Sequence, residues 1–258
     1  MLQSKIRMIE ILKNNYRKTK SCYRKLQIYC SVNWTKTIYF NFKKFPFRTA
    51  KQLPVFFYGK VKFSSIIGKI EIEGKIRTGM IGFGQPYEMN TLEKGIAEIN
   101  ILGILVFKGH VQFGKDYFIY IGEKGFCELG HMASLASNAK LICMEQIIFG
   151  NYARFGSESQ IMDTNFHQMI DTRTGQKFKM INPIIIGNYN YVGSRVTVMQ
   201  NTKTPDFCTI ASNSLCNTDY ISLGSNILIG GIPAKFLKDS ISRDWEGEKI
   251  ALDDYLIL

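Results

Sequence analysis

A chain of 258 residues, 45% hydrophobic and 13% aromatic, is long enough for a sizeable core and too apolar to be disordered throughout. Its net charge of +12 is unevenly spread: residues 1–62 hold 15 Lys and Arg against one acid, Glu10, and the rest of the chain is close to neutral. No apolar run approaches the roughly 18 residues of a membrane-spanning helix. The opening does not read as a signal peptide and the six cysteines form no C-x-x-C pair, so reduced thiols and a cytoplasmic setting are expected.

Residues 2–20 place Leu2, Ile6, Ile9, Leu12 and Tyr16 at three- and four-residue steps between lysines and arginines, which predicts a basic amphipathic helix. Residues 33–62 are aromatic and basic, and Pro46 and Pro54 argue for extended or irregular chain there. From Phe63 to Lys115, apolar residues alternate around frequent glycines, which predicts strands and turns with a loop over 85–98.

A repeat emerges at Leu129, Leu135 and Leu141, shifts phase to Phe149, Phe155 and Ile161, and breaks between Met162 and Ile185. It resumes in sixes: Ile186, Val192, Val198, Thr204, Ile210 and Cys216. Six helical steps would scatter these residues around an axis. A solenoid of short strands and corners points each of them inward. The small residue that often follows, Gly187, Gly193 or Ala211, is expected to let the chain turn.

The hexads, the run Tyr191-Val192-Gly193-Ser194, the step Ile210-Ala211-Ser212 and the closing Gly231-Ile232-Pro233-Ala234-Lys235 resemble the hexapeptide-repeat acyltransferases. Within that group, residues 110–240 are most similar to maltose, galactoside, capsule and lipopolysaccharide O-acetyltransferases. The resemblance implies an all-β solenoid, a left-handed parallel β-helix with three hexads per coil, and a homotrimer. It implies acetyl transfer from acetyl-CoA to a sugar hydroxyl in surface polysaccharide synthesis. The expected organisation is a basic N-terminal segment 1–62, helical and extended, a β-helix 63–240 and a C-terminal tail 241–258.

Histidine is the side chain best suited to take a hydroxyl proton near neutral pH. His167 stands in the interruption, in Asp163-Thr164-Asn165-Phe166-His167, and the resemblance makes it the general base on the acceptor. Asp163, four residues earlier, either orients the imidazole or opens the loop as an Asx turn. His110 and His131 lie in repeat-like text and are expected in the wall. By resemblance, Asn138 contacts the acceptor, with a coil-corner role as the alternative. Gly193, Ser194, Ala211, Asn217, Thr218 and Lys235 match acetyl-CoA-binding positions, although Asn217-Thr218 departs from the usual Thr-Lys and removes one cation.

No nucleotide, dinucleotide, zinc-protease or serine-hydrolase motif is present, and three scattered histidines do not suggest a metal site. Two other readings stand beside O-acetylation. One is N-acetylation of an amino sugar or antibiotic. The other is a nucleic-acid-binding module using the aromatic and basic residues of 33–62, disfavoured because that charge lies outside the solenoid. The same charge suits an anionic membrane surface, with the protein peripheral on its inner face, or a solvated cap on the open end of the solenoid.

Overall fold

The computed structural model describes residues 25–86, 88 and 95–256, with Tyr16, Thr19 and Tyr23 ahead of them. The basic helix expected over 2–20 lies outside the described residues except at Tyr16 and Thr19. Most of the 85–98 loop is also outside them, and Ala97 already opens the strand Ala97–Ile101.

Short strands, parallel except for the last, Ala234–Lys238, stack into three sheets of nine, seven and five strands, called here sheets 1, 2 and 3. The chain visits them in that order, coil after coil, from Val55–Phe57 in sheet 1, Val61–Ile66 in sheet 2 and Lys69–Ile72 in sheet 3. This is a left-handed parallel β-helix. Its first coil starts at Val55, inside the segment 1–62 expected to precede it. All six hexad residues from Ile186 to Cys216 are buried, and the inward columns run through the whole stack. In sheet 1, Phe57, Phe83, Phe113, Leu135, Phe155, Val192, Ile210 and Ile229 align one above another. The rings of Phe57, Phe83 and Phe113 lie face to face at 5.0 and 4.4 Å.

The corners correct one expectation. The small residues after the inward positions do not make the turns. Backbone in the left-handed region falls two residues later, on Met132, Tyr152, Tyr189 and Phe207 at one corner and on Asn138, Glu158, Arg195 and Asn213 at another. The glycines serve clearance between coils. A Cβ on Gly150 would sit 2.6 Å from the amide nitrogen of Asn188, and one on Gly187 would sit 2.5 Å from the carbonyl oxygen of Pro205. Gly150→Ala is therefore expected to destabilise by about 1–3 kcal/mol through overpacking against backbone that cannot retreat. A loss under about 0.5 kcal/mol in urea unfolding, the range of neutral surface changes, would contradict this.

Most of residues 34–50 are helical, contrary to the extended chain expected there. Asn33 caps Trp34–Lys44 by accepting the amide of Lys36 at 3.2 Å. Pro46 follows the end of that helix and caps the short helix Phe47–Ala50, where its missing N–H costs nothing. The longer helix covers the open edge of sheet 1. Thr37 Oγ1 accepts the amide of Phe57 at 3.0 Å, and Asn41 donates to the carbonyl of Val55 at 2.7 Å. Two buried polar side chains thus stand in for a neighbouring strand on an edge that would otherwise be bare. Lys44 Nζ donates to the carbonyls of Ile66 and Gly68, and burial lowers its pKa.

The C-terminal tail contains the helix Trp245–Leu256. Trp245 packs edge-on against Tyr152 and Tyr189, which belong to a stacked corner column with Phe207. Arg243 lies over the rings of both Tyr191 and Trp245.

Candidate functional site

The register break becomes an ordered arm. It leaves sheet 2 after Gln160–Met162 and returns to sheet 3 at Ile184–Ile186. Its two limbs pair through the bridges Thr164–Ile181 and Ile170–Lys177. At the tip, the Asp171 carboxylate accepts the amides of Arg173 and Thr174, which hold its pKa below the usual carboxylate value. A backbone excursion of this kind leaves the coils intact because strands on either side keep their register.

His167 lies on the outgoing limb, exposed, one residue after Phe166 in the left-handed conformation. Beneath the arm, a cavity of about 460 Å³ is lined by Lys124, Met144, Glu145, Gln168, Phe178 and Lys179, among others. His167 is not part of that lining; its neighbour Gln168 is.

Asp163 does not orient His167. Its side chain is fully buried and turned into the corner beneath the arm. Its Oδ2 accepts the amides of Met144, Glu145 and Gln146 at 3.0, 2.7 and 2.9 Å, and Oδ1 accepts Met144 again at 2.8 Å. Burial raises its pKa against the pull of those amides. The four-residue spacing from His167 carries no contact, because Asp163 is the anchor of the arm and His167 stands beyond it.

The other expected residues divide between two corners. Asn138, Gly193, Ser194 and Ala211 follow sheet 1, along the corner that leads to sheet 2. Lys235 joins them through its pairing with Gly230, above Ala211. Asn138 takes the corner role: its φ is +60° and its amide donates to the carbonyl of Lys115 at 2.8 Å. Ser194 belongs to a serine column, accepting from Ser157 Oγ at 3.3 Å while its amide donates to Ser212 Oγ at 3.1 Å. The space left by the missing side chain of Gly193 is filled by Ser212 of the next coil, 2.6 Å from where a Cβ would be.

Asn217 and Thr218 are exposed on the other corner, between sheets 2 and 3, where the arm also emerges. The Thr218 carbonyl accepts the amide of Lys203 at 3.2 Å, and Lys203 Nζ lies 3.2 Å from the Asp219 carboxylate. One chain thus sets His167, Asn217 and Thr218 on one edge and Ser194, Ala211 and Lys235 on another, with the width of sheet 2 between them. Two cations on these edges escape notice in the sequence. Arg195 follows Ser194, is exposed and donates from Nε to Asn213 at 2.7 Å; Lys203 is the other. Their signal is weak, since Arg195 is only a base at a corner and Lys203 a base beside the repeat position Thr204.

His110 is buried and His131 half-buried at the corner between sheets 3 and 1, their rings 5.8 Å apart, as wall positions require. Cys127, Cys143, Cys208 and Cys216 are buried in the core as free thiols. Burial pushes all four up, Cys208 and Cys216 to about 12, so near neutral pH they remain protonated and unsuited to carry an acyl group. Among the described residues there is no cluster of three potential metal ligands and no helix long and apolar enough to cross a membrane.

No family model and no curated protein matches this chain. Solved structures do. A polySia-specific acetyltransferase is similar at 16% identity and a TM-score of 0.42, over 74% of this chain and 78% of that one. A hexapeptide transferase family protein from Anaplasma phagocytophilum is similar at 12% identity and a TM-score of 0.47, over 76% and 93%. An N-acyltransferase from Bacillus cereus, in complex with dTDP and 3-hydroxybutyryl-CoA, is similar at 10% identity and a TM-score of 0.42, over 76% and 84%. The β-helix itself is read from the strand register of this chain.

Proposed function

We propose that the protein is an O-acetyltransferase that moves an acetyl group from acetyl-CoA to a carbohydrate hydroxyl, with His167 as general base. The observation that carries this reading is the arm. Between Gln160–Met162 and Ile184–Ile186 the chain leaves the solenoid and carries an exposed histidine on the arm, while the other two histidines sit in the wall. The imidazole takes the acceptor proton as the sugar oxygen attacks the thioester carbonyl. The carbon–sulfur bond breaks in the second half of the step, and the CoA thiolate leaves and is protonated. A backbone N–H of the coil wall holds the oxyanion between the two halves. The four cysteines of the solenoid core, buried and protonated, support direct transfer over an acyl-enzyme on the coil wall.

Ser194, Ala211 and Lys235 suit the donor, with Arg195 adding a phosphate-directed cation that Asn217-Thr218 does not supply. Their separation from His167 within one chain supports sites between subunits. In a closed trimer the arm edge of one copy faces the serine-column edge of the next.

The test is incubation with acetyl-CoA and a panel of glycans, followed by mass spectrometry on fractions resolved by sedimentation. One added acetyl, released by mild base, is expected in the fraction that sediments as a trimer. A base-stable acetyl would establish an amide and hence N-acetylation. Activity in a monomeric fraction would overturn the shared site, and absence of transfer across the panel would count against the acceptor class.

A further inference from the structure

The helix Trp34–Lys44 is built the wrong way round for a simple cap. Its buried arc is Thr37, Phe40 and Asn41, two of them polar and occupied by the strand edge. Its exposed arc carries Trp34, Ile38 and Phe42, one above another at four-residue steps, with Tyr39 beside them. These side chains are 41%, 47%, 48% and 53% exposed, and Phe47, beyond the turn, is 71% exposed and in ring contact with Phe42. A soluble helix normally turns its apolar stripe inward. Here Trp34 packs edge-on against Phe56 and Tyr39 stacks on Phe63, yet both rings, like Phe42, keep two-fifths or more of their surface exposed.

The charge of this stretch of sequence is of one sign. No Asp or Glu occurs between Glu10 and Glu71. Lys43 and Arg48 are exposed at the end of the stripe, and Lys36 lies over the Phe63 ring at 4.7 Å. Trp and Tyr are the side chains favoured at a membrane–water interface, and flanking Lys and Arg keep their charges in the headgroup layer while their stems lie on apolar surface. A single strand of nucleic acid would need a charged groove to follow its backbone. The stripe lies instead on a convex helix face.

We propose that this face of Trp34–Lys44 is a docking surface for an anionic phospholipid bilayer. Trp34, Ile38 and Phe42 enter the interface, and Lys43 and Arg48 meet the headgroups. The helix keeps its capping contacts on the opposite arc, so cap and dock are two faces of one element. The proposal does not depend on the catalytic reading.

Full-length protein is floated with vesicles of phosphatidylglycerol and phosphatidylcholine in equal parts, and with phosphatidylcholine alone. Binding is expected to the mixed vesicles, weakening as salt rises. Removing two headgroup cations by Lys43→Ala with Arg48→Ala is expected to lower vesicle affinity about 30-fold. Ile38→Asp with Phe42→Asp is expected to abolish binding; circular dichroism shows whether this exposed-site variant keeps its fold. Brominated lipid is expected to quench the wild-type tryptophan emission and to lose that effect in Trp34→Phe. No flotation on anionic vesicles at low salt would overturn the proposal, as would undiminished flotation of a folded Ile38→Asp/Phe42→Asp variant. It also fails if that variant loses single-stranded oligonucleotide binding or self-association while wild-type protein ignores the vesicles.

Discussion

Replacing His167 with alanine is expected to lower acetyl turnover by about 10²–10⁴-fold, the usual contribution of a positioned general base. The affinity for acetyl-CoA is expected to hold, because the proposed donor residues Ser194, Ala211 and Lys235 lie across sheet 2 from the arm. The loss therefore falls on kcat, as for an interaction made in the transition state. Thr174→Ala, at the tip of the same arm, is the matched control and is expected to keep wild-type turnover. Steady-state kinetics on whichever glycan is acetylated provide the measurement. Near-wild-type turnover in the His167 variant would remove the arm from the chemistry, even if the protein proved to be an acetyltransferase.

Asp163→Ala is expected to cost about 3–5 kcal/mol of folding stability, since three amides lose their acceptor in a buried corner. Asp163→Asn is expected to cost only about 1 kcal/mol, because a single oxygen, Oδ2, reaches all three. The two variants also differ from wild type in their pH dependence. Burial raises the Asp163 carboxyl in the folded state above its unfolded value, so the folded state binds the proton more tightly. That part of the stability is present at pH below the ordinary Asp value and is lost as pH rises through the raised one. The amide introduced by Asp163→Asn cannot titrate, so the gap between wild type and that variant is expected to widen in favour of wild type as the solution is acidified through that window. Urea unfolding across pH tests both statements. If Asp163→Ala unfolds like wild type yet loses turnover, the carboxylate acts on His167 after all.

The later coils are legible because each inward residue of the hexads is a step of six from the next, and all six are buried. The early coils are not, for a geometric reason. Phe57, Phe83 and Phe113 form one column, but the loops between them differ in length, so no fixed period connects them in the sequence. The phase shift after Leu141 has the same origin. The corner between sheets 2 and 3 carries extra residues there, and Leu141 and Phe149 still face the same core. Pro46 reads as a helix breaker in the sequence, whereas in the fold it separates two helices. The arm is visible as missing periodicity, and with it His167. The role of Asp163 is hidden because its partners lie 17 to 19 residues back in the chain, on the coil below. Spacing to a nearby histidine is a poor guide when the competing partners are backbone amides brought in by the coil.

The even stacking of strands has a consequence for distance. Neighbouring parallel strands advance about 4.8 Å along the solenoid axis. In sheet 1, four such steps separate the capped strand Val55–Phe57 from Arg154–Phe155, whose coil bears the arm. The solenoid is thus a ruler that sets the coil bearing the arm roughly 19 Å up the axis from the helix-covered end. Adding or deleting one coil between them would change that height by a single graduation and leave both ends chemically as they were.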